Sequence, residues 1–134
     1  MLATYRTVKS MVAVAATLVG LAACSSDDSP ATPGISGYPR DVAIEYKVTS
    51  ADVKKGTIRY KNETGADTVL DNTALPFAKT VRRTVNYIDD AYVSIDSNEP
   101  GTVTTEIWVD GTKVDSKTHS ATSGVDGSSI YLFR

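Results

Sequence analysis

The feature that most limits what this chain folds into is a strict two-residue alternation that begins at Asp41. Val42, Ile44, Tyr46 and Val48 alternate with Ala43, Glu45, Lys47 and Thr49. Successive side chains of an extended strand point to opposite faces, so this pattern predicts a strand with one buried face. The alternation returns at Thr57–Lys61 through Ile58 and Tyr60, and at Ala91–Asp96 through Ala91, Val93 and Ile95. Turn signals separate the runs: Asn62-Glu63-Thr64-Gly65, Asp89-Asp90, Asn98–Gly101 and Asp126-Gly127. Further strands are predicted around Asp67–Asn72, Lys79–Val85 and Ser129–Phe133. Leu75-Pro76-Phe77 interrupts the ladder, because proline has no N–H to donate.

The clearest hairpin joins Val103–Val109 to Thr112–Thr118 through Asp110-Gly111, the pair a type I′ turn prefers. Counting outward from that turn pairs Val109 with Thr112, Trp108 with Lys113, Ile107 with Val114 and Glu106 with Asp115. No stretch after Asp41 has a helical apolar period. Short strands at regular spacing predict an all-β domain, an immunoglobulin-like β-sandwich of seven to eight antiparallel strands, with a small closed barrel as the alternative.

The first 40 residues are of another kind. Met1–Ser10 carries Arg6 and Lys9 and no acid; Met11–Ala23 is a continuous run of small apolar residues. That order is a secretory leader, and the run is shorter than the roughly 20 residues a bilayer span needs. It ends in Leu21-Ala22-Ala23-Cys24, which resembles the lipobox of bacterial lipoproteins. The resemblance implies removal of residues 1–23 and acylation of Cys24, the only cysteine in the chain. Each buried methylene contributes about 0.8 kcal/mol, so two or more acyl chains hold a protein on a membrane without a spanning helix.

Residues 24–40 are rich in Ser, Pro, Gly and Asp and read as a lipidated cysteine followed by a flexible spacer. Residues 41–134 are the domain. The Asp27-Asp28 pair resembles the short acidic export signal of surface lipoproteins in Bacteroidota. The leader holds two of the 14 Lys+Arg and none of the 16 Asp+Glu, so the mature chain keeps 12 basic against 16 acidic groups. That acidic balance argues against nucleic acid as a partner. The expected location is the cell envelope, anchored to the outer membrane and facing either the periplasm or the cell surface.

A second resemblance lies within the domain. Ile44-Glu45-Tyr46-Lys47-Val48-Thr49, Ile58-Arg59-Tyr60, Leu75-Pro76-Phe77 and Ile107-Trp108-Val109-Asp110-Gly111-Thr112-Lys113-Val114 follow one another. Their order and spacing are similar to those of the MmpS family. Those are mycobacterial proteins with a periplasmic β-sandwich that accompany RND-type exporters. The resemblance implies a sandwich and an envelope transporter as partner. The lipobox stands where that family has an uncleaved membrane helix.

The residues offer little catalytic chemistry. His119 is the only histidine and is expected at the surface, with no base-and-nucleophile pair around it. Zinc sites draw on Cys and His, and this chain has one of each, so no metal and no cofactor are expected. Turn aspartates are expected to cap their own backbone, and Lys54-Lys55 and Arg82-Arg83 read as solvated strand ends. A non-enzymatic binding or accessory lipoprotein is the leading expectation. An adhesion or carbohydrate-binding module is the alternative. The candidate contact patch is Trp108 with Lys113, together with Tyr92 and Tyr131.

Overall fold

The computed structural model describes residues 34–134. The leader, Cys24 and most of the spacer lie outside the described residues. Eight strands follow in order: β1 (Arg40–Ser50), β2 (Lys55–Lys61), β3 (Asp67–Ala74), β4 (Phe77–Val85), β5 (Asp90–Ser97), β6 (Gly101–Val109), β7 (Thr112–Ala121) and β8 (Val125–Leu132). They form two four-stranded antiparallel sheets, β4-β1-β6-β7 and β3-β2-β5-β8. The molecule is thus an all-β sandwich. The β1 and β2 strands, neighbours in sequence, lie in opposite sheets.

The alternation works as the sequence predicts. Val42, Ile44, Tyr46 and Val48 of β1 are buried, and the residues between them are half-buried on the outer face. From the other sheet, Ile58, Tyr60, Ala91, Val93 and Ile95 close against them. Fully burying an aliphatic side chain of this size stabilises the fold by roughly 1.5–3 kcal/mol. The core holds one polar stitch between the sheets. Ser129 Oγ of β8 donates to the Thr105 carbonyl of β6 (3.0 Å), and the two hydroxyls lie 2.9 Å apart. Both residues are fully buried and paired, which avoids the cost of an unmet hydroxyl in the core.

The Asp110-Gly111 turn has positive φ at both residues, 49° and 81°, as a type I′ hairpin requires. Its register then departs from the expected one. Val109 pairs with Thr112 and Trp108 with Lys113, but a bulge follows and Ile107 pairs with Asp115. Val114 is left as the extra residue and packs partly against the core. The bulge has a physical reason. It removes the like-charge pairing of Glu106 with Asp115 and sets Ser116 opposite Glu106 instead. Asp115 turns toward β8, where its Oδ2 accepts the Ile130 N–H (3.1 Å).

Other expectations shift as well. Asp126-Gly127 lies within β8, not in a turn. Arg83 is half-buried: its Nη2 donates to the Asp90 carbonyl, whereas Arg82 is exposed. The packed chain starts before Asp41. Tyr38 lies against the core edge and its hydroxyl donates to the Arg134 carbonyl (3.1 Å).

Because all eight strands alternate in direction, their connections gather at two ends. The near end, where the chain joins β1, holds residues 62–66, 86–89 and 110–111 together with Tyr38 and Arg134. The far end holds residues 51–54, 75–76, 98–100 and 122–124.

Candidate functional site

Trp108 lies on the outer face of the β4-β1-β6-β7 sheet, half-buried. Its ring is enclosed by charge. Lys47 Nζ of β1 stands 4.5 Å from the ring centroid and Lys113 Nζ of β7 stands 5.5 Å from it. The indole N–H donates to Glu106 Oε2 (2.9 Å), and Lys113 Nζ donates to Glu106 Oε1 (3.1 Å). The Trp108 N–H, with help from Lys113, holds the Glu106 carboxyl below its ordinary value of 4.5. Lys47 also pairs with Glu45 at 3.2 Å. Sequence order explains the assembly. Lys47 sits directly opposite Glu106, and Trp108 lies between Glu45 and Lys113 across the three strands. Cation–π and ionic contacts thus occupy the indole from within the chain.

The four residues of the expected patch do not come together. Trp108 and Lys113 are cross-strand partners on one outer face. Tyr92 lies on the outer face of the other sheet, beside Ile130. Tyr131 is turned inward, with its ring edge-on to Phe133 at 5.2 Å. The reason is parity. On β8, Ser129 is buried, Tyr131 packs against the core, and Ile130 and Leu132 therefore face out.

Tyr92 does line a shallow groove of about 250 Å³ on the outer face of the β3-β2-β5-β8 sheet. Thr57, Arg59, Asp96, Asp126 and Ser128 share it. Asp96 and Asp126 are direct cross-strand partners, so two carboxylates face the same floor. The groove offers an aromatic ring, a guanidinium, two carboxylates and hydroxyls. That set suits a polar, hydroxyl-rich ligand held by hydrogen bonds. Among the described residues, no three His, Cys, Asp or Glu side chains converge as metal ligands would.

Two further groups escaped sequence reasoning. His119 is half-buried on β7, not exposed, and its ring rests on Gly127 of β8. A Cβ at Gly127 would fall 2.2 Å from the imidazole, so any side chain there would displace the His119 ring. Its Nε2 is buried without a hydrogen-bond partner among the described residues. The bulge at Val114 is what turns His119 inward, and nothing in the local pattern announces it. Tyr46 is fully buried, and burial pushes its phenol well above the usual value. Its hydroxyl also has no partner among the described residues.

The near end is different again. Asn86-Tyr87-Ile88-Asp89 forms a tight turn, closed by Asp89 N–H to the Asn86 carbonyl (3.2 Å) and by Asn86 N–H to Asp89 Oδ2 (2.8 Å). Ile88 sits at φ 67°, a left-handed conformation that β-branched residues rarely adopt, and its side chain is 68% exposed. Holding an L-residue there costs about 1–2 kcal/mol. Two backbone hydrogen bonds keep the turn in place: Ile88 N–H to the Phe133 carbonyl (2.7 Å) and Phe133 N–H to the Asp89 carbonyl (2.9 Å).

Set against protein-family profiles and curated proteins, the chain matches none.

Proposed function

We propose that this protein is a non-enzymatic lipoprotein of the cell envelope, a β-sandwich binding or accessory module held on the outer membrane by acylated Cys24. The observation that carries this reading is the order of the leader: basic residues, a short apolar run, then Leu21-Ala22-Ala23-Cys24. The MmpS-like succession of strand motifs favours one version, in which the sandwich serves a membrane transport complex. Mild crosslinking in cells followed by purification tests that version, with an enriched RND-type pump as its expected result. For the anchor itself, mass spectrometry of the chain extracted from membranes is expected to find an N-terminal, acylated Cys24. A chain that retains Met1 and a free thiol would remove the basis for the reading.

The Tyr92 groove favours a second reading, a glycan-binding module. Its mixture of one ring, Arg59, two carboxylates and hydroxyls is the chemistry that hydroxyl-rich ligands need. On a glycan array, binding that Tyr92→Ala abolishes and Trp108→Ala leaves intact would support it. An array without hits would count against it.

A further inference from the structure

The exposed apolar side chains of this sandwich are not scattered. Ile35, Val69, Tyr87, Ile88, Ile130 and Leu132 are the large hydrophobics that remain exposed among the described residues. Ile35, Tyr87, Ile88 and Leu132 lie at the near end itself. Val69 is two residues from the near end of β3, and Ile130 is two residues from that of β8. The far-end connections contribute none of them.

The placement is maintained against a backbone preference. A turn of the shape of 86–89 favours glycine or asparagine at the left-handed position. Here that position holds isoleucine, with two thirds of its side chain in solvent. Tyr87 stands beside it, 39% exposed, with its ring edge-on to Tyr38 at 6.0 Å. Arg40 lies over the Tyr38 ring at 5.5 Å. Tyrosine and arginine at the rim of an aliphatic tip are the residues that sit well between lipid headgroups and acyl chains.

We propose that the near end, led by Tyr87 and Ile88, docks on the surface of a phospholipid bilayer. The proposal rests on acylation of Cys24, and the length of chain argues for that occupant. Nine residues separate Cys24 from Gly34, and the ten steps between them span at most about 36 Å. From Gly34 the described chain runs through Tyr38 into β1 at the near end, so an anchored protein keeps this end within reach of the bilayer. Acidic groups at the near end, Glu63, Asp89 and Asp110, are offset by Arg40, Lys61 and Arg134, so net electrostatic attraction to anionic lipid is a minor contribution. Insertion of the apolar tip supplies the affinity, so docking is weakly dependent on salt.

The test uses the protein as extracted from membranes, reconstituted in phosphatidylcholine vesicles that contain brominated lipid. A Trp108→Phe background removes the native indole. Tyr87→Trp then reports the near end and Asn98→Trp the far end, with thermal melts confirming the fold of each. An interfacial helix buries about 5–10 Å deep, and at comparable depth roughly half of the Tyr87→Trp emission is expected to be quenched. The Asn98→Trp emission is expected to be unchanged, and adding Ile88→Asp to the near-end reporter is expected to abolish its quenching. Mass spectrometry of the same sample separates the two claims. Acylated protein with equal quenching at both ends overturns the docking surface and leaves the anchor standing. Quenching of the near-end reporter without acylation upholds the surface and removes the anchor. A near-end signal that follows protein concentration in the absence of lipid assigns the surface to a second copy and overturns the proposal.

Discussion

The two ends of this sandwich share polar turn contacts but differ in what they expose. At the far end the 51–54 and 98–100 turns are tied to each other and to the strand ends by polar contacts, and no large hydrophobic side chain of these turns is exposed. Ser50 Oγ donates to the Thr102 carbonyl (2.6 Å) and accepts the N–H groups of Asp52 (3.1 Å) and Val53 (2.8 Å). Glu99 Oε2 accepts the Lys54 N–H (2.6 Å), and Ser97 Oγ donates to the Lys55 carbonyl (2.7 Å). At the near end, an isoleucine is held in a strained conformation and faces solvent. Near-end turns are hydrogen-bonded too, through Asn62, Asp89 and Asp110, but there a strained backbone also presents an apolar tip. A fold selected only for stability has no reason for that asymmetry, whereas a surface that meets another phase does.

The contrast can be broken most visibly at the far end. Ser50→Ala removes one donor and one shared acceptor from a half-buried turn. It is expected to cost about 1–3 kcal/mol. In a domain of this size that lowers the thermal midpoint by several degrees, roughly 4–8 °C per kcal/mol, which calorimetry can read. At the near end the sign reverses. Ile88→Asn keeps the turn and places there a residue that tolerates the left-handed region. It is expected to stabilise the fold by about 1 kcal/mol. A destabilised Ile88→Asn would mean that the side chain packs usefully, and the contrast would fail.

Tyr46→Phe is a reference between the ends. It deletes a buried hydroxyl without a partner among the described residues, so stability is expected to be unchanged or to rise by up to about 1 kcal/mol. The smallest effect concerns Glu106 and pH. Its carboxyl is held below 4.5 by the Trp108 N–H first, then by Lys113. A lowered folded value stabilises the protein above the unfolded value, and that contribution is lost as pH falls through the lowered one. The stability difference between wild type and Glu106→Gln is therefore expected to be constant from neutral pH down to about 4.5 and to shrink below it. Chemical denaturation across that range checks it.

The fold was largely legible because its strands alternate strictly and its turns carry their own chemistry. Val42, Ile44, Tyr46 and Val48 could face only one way once a core was assumed. Asp110-Gly111 specified both its turn type and the first two pairs of its register. What sequence could not show was the bulge at Val114. Besides separating Glu106 from Asp115, it frees Asp115 to accept the Ile130 N–H across the sandwich, a need no local pattern shows. That single inserted residue turned His119 inward. The four residues of the expected contact patch lie apart for a related reason. Tyr92 and Tyr131 lie on strands of one sheet, and their faces follow from cross-strand pairs, not from their own hydrophobicity. Ile88 was invisible because nothing in Asn-Tyr-Ile-Asp announces a left-handed isoleucine.

Hydrogen exchange on the acylated protein, compared between phospholipid vesicles and detergent micelles, tests the central claim most directly. The account predicts added protection in vesicles for amides of residues 35–38, 86–90 and 132–134, with residues 51–54, 98–100 and 122–124 unchanged. Protection confined to the far-end turns, or none at either end, would contradict it.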